Sequence, residues 1–340
     1  MERADPRDPR SRRPAEGGRL KRLIRLCLAA LAACAGSALA QQWPSKPVHL
    51  IVPYPPGGSA DILARAIGQK LSEGMGQQVI VDNRPGAGTA IGAEATAKAP
   101  PDGYTILLGT VSSHAINPAL TPNLKYDPVK DFAPVSLVAS IPFALVVHPS
   151  LPVRTVKELI ALAKSKPGAL NFSSAGNGTS NHLAGELFKN MTGTYMVHIP
   201  YKGSAPALND LIAGQVQLMF DLVLTTAPHV KSGAVRAIAV TSRERSSALP
   251  NVPTVAESGV PGYDVSAWFG FFAPAGTPPA IVSALNAETV KAMRLPDLRE
   301  RLASQGAEAV TDTPEQFAAY VKEELGKWTR VVKASGMKAD

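Results

Sequence analysis

Thiols are nearly missing from this 340-residue chain: it has 2 cysteines, Cys27 and Cys34, and both fall within the first forty residues. Beyond residue 40 that excludes a disulfide framework, a cysteine nucleophile and any cysteine-ligated metal. Long hydrophobic runs are missing too. The one extended apolar stretch, Leu23 to Ala35, is shorter than the ~20 residues a spanning helix needs, which excludes a polytopic membrane protein. Charge of one sign looks abundant at first, with 35 Lys and Arg against 27 Asp and Glu. Nine of those cations and four of those anions sit in residues 1–40, so 26 face 23 in the remainder. No dense basic stripe follows residue 41, and a nucleic-acid partner is not expected. Aromatics make up only 6%, but a hydrophobic share of 45% is ample for cores, and at ~150 residues per domain the length suggests two of them.

Enzyme signatures are lacking as well. Gly86-Ala-Gly88-Thr-Ala-Ile-Gly92 is one residue too long for the dinucleotide fingerprint, and no acidic residue ends a strand about 20 residues later. No phosphate-loop motif and no G-x-S-x-G occurs. The 6 histidines have no metal-ligand spacing, and neither a metal nor a cofactor is expected.

The first forty residues form an address. Lys21, Arg22 and Arg25 precede the apolar run Leu26–Ala35, and Ala38-Leu39-Ala40 is a small-residue cleavage site. This order reads as a secretory signal, residues 1–40, with an atypical Arg- and Pro-rich leader. The expected location is the periplasm, soluble after cleavage at Ala40. Leu31-Ala-Ala-Cys34 leaves the alternative of a lipid anchor at Cys34.

The remainder alternates strand and helix. Strands are expected at 48–52, 78–82 and 104–108, with helices from Ser59 to about Gly74 and over Thr89–Lys98. A second set has strands at 170–173, 196–199, 216–221 and 236–241, and a Thr155/Glu158 capping box opens the helix 156–164. Two longer apolar strands, 141–147 and 265–272, bracket this set, and helices near 279–293, 296–305 and 314–333 end the chain. The order implies α/β lobes, each a mainly parallel sheet flanked by helices and joined by two crossing strands. The boundaries expected are 41–144 for the first lobe, 145–265 for the second, and 266–340 returning to the first.

Four strand-end turns are rich in glycine and small hydroxyls, and each opens a helix: 54–61, 83–89, 173–182 and 200–206. Free N–H groups and the helix dipole at such ends favour an anion, and glycine lets it approach the backbone. Asp61 and Asp221 fit helix capping as well as ligand contact. His114 and His182, among small hydroxyl residues near strand ends, fit acid–base chemistry, hydrogen bonding or capping alike.

Lys46-Pro-Val-His-Leu-Ile-Val-Pro-Tyr-Pro-Pro-Gly-Gly-Ser-Ala-Asp61 resembles the first segment of the Bug receptors, the extracytoplasmic solute-binding proteins of tripartite tricarboxylate transporters. The resemblance continues through 81–88, 102–105, 171–179, 198–203 and 250–257, and it covers nearly all of residues 43–336. It implies a two-lobed type II periplasmic binding fold that closes on a small organic carboxylate: a di- or tricarboxylate, an amino acid or an aromatic acid. It further implies ligand contacts from Tyr54, Gly57, Gly58, Ser59 and Asp61, with Ser174, Gly176, Gly178, Thr179 and His182 opposite. Thr110, Ser113 and Tyr201 would line the cleft and Asp221 its far wall. The implied function is a monomeric receptor delivering its ligand to membrane permease subunits. The rival reading is an enzyme on a similar scaffold, acting on a small carboxylate with His182 or His114 as base.

Overall fold

The computed structural model describes residues 43–335. The signal segment expected over 1–40, its cleavage site at Ala40 and the alternative anchor at Cys34 lie outside the described residues. Contacts divide the chain into a unit ending at Ser45, of which three residues are described, and a unit of Lys46–Asp340 that holds every element below.

β1 (Val48–Val52) is buried at four of its five positions and pairs in parallel with β2 (Val79–Asn83) and β3 (Thr105–Thr110). Its neighbours reach it over α1 (Ser59–Met75), which buries Leu63, Ala64, Ile67 and Leu71 at helical spacing, and α2 (Ala90–Ala97). α1 stops at Gly76, whose left-handed φ of 67° lets its N–H return to Ser72. A π-helical turn, Ser112–Ile116, and α3 (Asn117–Leu120) follow β3.

β4 (Phe132–Val147) is 16 residues long and serves two sets of partners. Phe132–Pro142 pairs antiparallel with β9 (Ser266–Pro274), which itself runs antiparallel beside β3. Phe143–Val147 pairs antiparallel with β7 (Leu218–Leu222) and β8 (Arg236–Val240). β5 (Asn171–Ser174) then joins β7 and β6 (Val197–Pro200) in parallel. The short β10 (Glu308–Ala309) edges β4. Two parallel half-sheets are thus coupled through antiparallel β4 and β9. Only the second half of β4 is legible as a strand. Pro134 and two register shifts interrupt alternation over 132–140, and neighbours alone hold that stretch extended.

In the second half-sheet lie α4 (Val156–Ser165), α5 (Ser180–Thr192), α6 (Ser204–Ile212) and α7 (Val223–Lys231). The expected capping box is present on α4: Thr155 Oγ1 accepts from Glu158 N–H, and Glu158 accepts from Thr155 N–H, both at 3.2 Å. Three proline-initiated helices close the chain: α8 (Pro279–Met293), α9 (Pro296–Ser304) and α10 (Pro314–Ser335). α10 packs on β4 and on the π-helical turn. Trp268 points from β9 toward α10, ringed by Phe317 and Tyr320, and donates to Glu324.

Candidate functional site

The turn between β1 and α1 is strapped from behind. Asp61, in the first turn of α1, accepts from Gly57 N–H (3.0 Å), from Arg65 Nε (3.0 Å) and Nη2 (2.8 Å), and from Asn83 Nδ2 (3.0 Å). Asn83 Nδ2 also donates to the Tyr54 carbonyl at 3.0 Å. Burial pushes the Asp61 carboxyl up, but Arg65, the Gly57 N–H and Asn83 together outweigh it and hold it below the ordinary aspartate range. Asp61 is therefore an organiser of the turn. Asp61→Ala should cost about 2 kcal/mol, as the loss of hydrogen bonds to a charged group, and lower the melting temperature by roughly 3–4 °C. That contribution is present above pH ~4 and is lost as acid protonates the folded carboxyl, so the gap from wild type should narrow below pH ~4. A gap that stays constant across a calorimetric pH series would show that the charge contributes nothing.

On the opposite side, β7 ends at Asp221, which is 1% exposed. Its Oδ1 accepts from Asn181 Nδ2 (2.7 Å) and Ser204 Oγ (2.5 Å), and its Oδ2 from Thr225 Oγ1 (2.8 Å). Those donors belong to the first turns of α5, α6 and α7. None carries charge, and burial raises the carboxyl above the ordinary range despite them. The two halves meet directly: Ser59 Oγ donates to Thr225 Oγ1 at 3.2 Å, and Ser180 N–H to Ser112 Oγ at 3.1 Å. Tyr54 OH reaches the same Ser112 Oγ at 3.0 Å.

These elements surround a small inner chamber that opens to solvent. Its lining includes Gly58, Ser59 and Ala60 from the start of α1, Ser180 and Asn181 from α5, Ser204 and Ala205 from α6, and Leu222 before α7. None of these four helix starts is capped by the side chain of its own N-cap residue, Gly58, Thr179, Gly203 or Leu222, and in α5 the Ser180 N–H is taken by Ser112. α4, whose Thr155 cap is in place, contributes no residue to the lining. Asp221 is the only charged side chain among the described lining residues. Four helix N-termini facing one cavity without a lysine or arginine are an arrangement able to hold an anion through backbone dipoles.

A larger outer chamber adjoins it and shares Tyr54, Pro55, Ala175 and Gly203 with it. Its walls are Pro85–Ala90, the α3 region, Ala175–Thr179 and Pro200–Gly203. The Gly86–Thr89 wall is left-handed throughout, with φ of 130, 46, 58 and 93°. Asn117 Nδ2 holds it by donating to the Gly88 carbonyl (2.6 Å) and to Thr89 Oγ1 (3.2 Å). Lys202 is the sole charged side chain among its described lining residues.

Of the residues expected at the site, Tyr54, Gly58, Ser59, Thr110 and Asp221 line the inner chamber, and Gly176, Gly178, Thr179 and Tyr201 the outer. Gly57, Asp61, Ser113, Ser174 and His182 line neither. Ser113 Oγ is spent on its neighbours: it accepts from Thr110 N–H (3.0 Å) and lies within hydrogen-bond reach of the Thr110 carbonyl (3.1 Å) and His114 Nδ1 (2.8 Å). Gly57 carries the positive φ of the first turn, 85°, whereas Gly58 is extended, with φ −86°. Sequence reading missed Ser180, Asn181, Ser204 and Phe269. Ser204 is legible in hindsight as the first helical residue after the Gly203 turn. Phe269 follows from strand alternation, since Ala267 and Phe269 face the chamber while Trp268 faces α10.

His114 is fully buried, stacked on Phe272 at 3.9 Å, and burial pushes it down to about 3. It is neutral at ordinary pH and lines neither chamber. Among the described residues no cluster of histidine and carboxylate side chains is placed to hold a metal ion.

A family model described as "Tripartite tricarboxylate transporter family receptor" matches residues 63–337. Protein BugT of Bordetella pertussis is 40% identical over 305 residues, covering 89% of this chain and 94% of its own. Among solved structures, R. palustris Rpa4515 with adipate superposes with a TM-score of 0.85 at 40% identity, over 87% of this chain and 99% of its own. MatC from Rhodopseudomonas palustris with bound malate gives 0.82 at 35% identity, over 85% and 100%.

Proposed function

The chain belongs to the receptor family of tripartite tricarboxylate transporters, two-lobed periplasmic carboxylate-binding proteins, and from that membership we propose how this member holds its ligand. One carboxylate sits in the inner chamber on the N–H groups of α1, α5 and α6, and the rest of the molecule extends into the outer chamber. The observation that carries this reading is the convergence of uncapped helix starts on a cavity with no cationic side chain among its described lining residues. Each N-terminus is worth ~0.3–1 kcal/mol to an exposed anion and up to ~2 when partly buried, so several acting together give useful affinity without an ion pair.

The two neighbours solved with adipate and malate support a dicarboxylate of four to six carbons as the first ligands to try. Binding draws the two halves together across the Ser59–Thr225 and Ser112–Ser180 contacts, with β4 and β9 as the hinges. The receptor makes and breaks no bond. It is exported by its leading segment, acts as a monomer, and passes its ligand to permease subunits. Against the enzyme alternative, His114 is neutral and inside the core, and His182 lines neither chamber.

Calorimetry with succinate, malate and adipate tests this directly. At least one acid should bind, and its uncharged diamide should bind at least ~100-fold more weakly, about 2.8 kcal/mol. Mass spectrometry of the recovered ligand should show it unchanged. Equal affinity for acid and diamide would remove the helix N-termini as the binding groups, and a new product would restore the enzyme reading.

A further inference from the structure

Behind the β5–α5 turn lies a cluster that neither chamber uses. The His182 and His198 rings stack at 3.9 Å with 11° between their planes, and Phe172 covers His198 at 4.9 Å. His198 Nε2 meets Ser174 Oγ at 2.6 Å, and that hydroxyl accepts from Gly176 N–H at 3.0 Å. His182 Nδ1 accepts from Gly178 N–H at 3.4 Å. Two amides of the turn are therefore tied to the imidazole pair, one directly and one through Ser174. Thr179 Oγ1 also holds the turn by donating to the Gly176 carbonyl at 2.6 Å, and the imidazole tie adds the two amides to it. Gly176 and Gly178 hold φ of 130° and 72°, and glycine is otherwise free to leave these regions.

We propose that the stacked His182–His198 pair is the positioning element of the binding turn, and that a proton taken up by the pair releases the turn and weakens carboxylate binding. This rests on the receptor reading above. Hydrogen-bond polarity fixes the tautomer. A ring nitrogen that accepts from an N–H carries no proton, so the neutral His182 holds its hydrogen on Nε2, toward Glu186 Oε1 at 3.7 Å. Once protonated, Nδ1 becomes a donor facing the Gly178 N–H, and the tie turns repulsive.

The charged groups around the pair decide where the proton goes. From α5, Glu186 faces His182, and Lys189 lies 2.7 Å from Glu186 and over the Phe172 ring. From β6 comes His198 itself, and from β5 only the uncharged Phe172 and Ser174. Two imidazolium ions 3.9 Å apart would repel strongly. Burial first, then the charges of His182 and Lys189, hold His198 down to about 3. Any proton the pair takes above that range therefore sits on His182, beside Glu186.

The consequence reaches both chambers. Gly176, Gly178 and Thr179 form a wall of the outer one, and Ser180 and Asn181, the next two residues, line the inner. Carboxylate binding and neutral His182 thus favour each other. By linkage, affinity falls as the pair takes up its proton, and binding expels that proton.

The test is calorimetry at pH 7.5 and 5.5, using whichever of succinate, malate and adipate binds most tightly. His182→Asn keeps an acceptor near the Nδ1 position but cannot titrate, so the ligand's own protonation cancels in the comparison. At pH 7.5 the variant should match wild type within ~3-fold, whereas at pH 5.5 wild type should be ~3–10-fold weaker than the variant. His182→Leu, which loses the acceptor, should be weak at both. Repeating both proteins at pH 6 in buffers of different ionisation enthalpy should reveal more proton release on binding by wild type than by His182→Asn, since release from the acid itself is common to both. Parallel pH profiles for wild type and His182→Asn, or equal proton release by the two, overturn the proposal. If no acid of the three binds at any pH, the receptor reading itself fails and this one falls with it.

Discussion

Gly58→Val should bind the carboxylate at least ~100-fold more weakly than wild type, about 2.8 kcal/mol, while its ligand-free melting temperature stays nearly unchanged. Gly58 is extended, with φ −86° and ψ 173°, a conformation valine adopts freely. A Cβ there would touch only the Ser204 Cβ at 3.8 Å, an ordinary contact. The backbone therefore has no objection to the side chain. Its two methyl groups, however, must project where the uncapped starts of α1 and α6 face each other, which is the space assigned to the ligand. Gly58→Ala, adding only the tolerated Cβ, should lose far less. Gly57 is the useful contrast: at φ +85° any side chain is strained by ~1–2 kcal/mol, so a loss there would mix folding with binding. Calorimetry and thermal melts on Gly58→Val separate the two. Unchanged affinity would mean that the inner chamber is not where the carboxylate sits.

Removing a charge should strengthen the same site. Asp221→Asn is expected to melt higher than wild type at pH 7 and to bind the carboxylate more tightly, by ~10-fold or more, because two like charges no longer share one chamber. The buried Asp221 carboxyl has no cation among its partners, and burial raises it above the ordinary aspartate range. Below pH ~4 both folded and unfolded chains hold this proton, and the group costs nothing. As pH rises the unfolded chain ionises first, so wild-type stability falls until the folded carboxyl ionises too. Asparagine escapes that loss, and its advantage should grow from pH ~4 upward. Its amide oxygen can keep the donations of Asn181 and Ser204. Thr225, which also reaches the Leu222 carbonyl at 2.9 Å, can turn its hydroxyl there and accept from the new amide. Asp221→Ala should instead fall in both stability and affinity, since it strands three donors that order the starts of α5, α6 and α7. A variant Asp221→Asn that loses as much as Asp221→Ala at every pH would show that the negative charge itself organises the site.

Periodicity and punctuation carry most of the secondary structure. β1, α8 and the start of α1 fall where apolar spacing, proline and glycine put them, because those signals are local: a buried strand face, a fixed φ, a left-handed cap. The anion-favouring turns are local for the same reason, since a helix start needs only its own first four N–H groups to attract charge. The motif order likewise sufficed for the receptor family, which the match over residues 63–337 bears out.

Placement around the two chambers was another matter. Asp61, Ser113 and His182 carry the polar chemistry of contact residues, yet each spends its polar atoms on a turn that presents other residues instead. Ser180, Asn181 and Ser204 are ordinary first-turn residues until Asp221, forty and seventeen positions further along, gathers them by hydrogen bonds. The first half of β4 has no strand pattern and is held extended by β9, over a hundred residues away in sequence. The sequence by itself determined most of the elements, their order and the anion-favouring helix starts, since each depends on residues within a few positions of one another. Tertiary structure decided which starts converge, which polar side chains face the chamber and which brace it from behind. Those outcomes depend on contacts between distant segments, and no local pattern encodes the direction in which a side chain meets them.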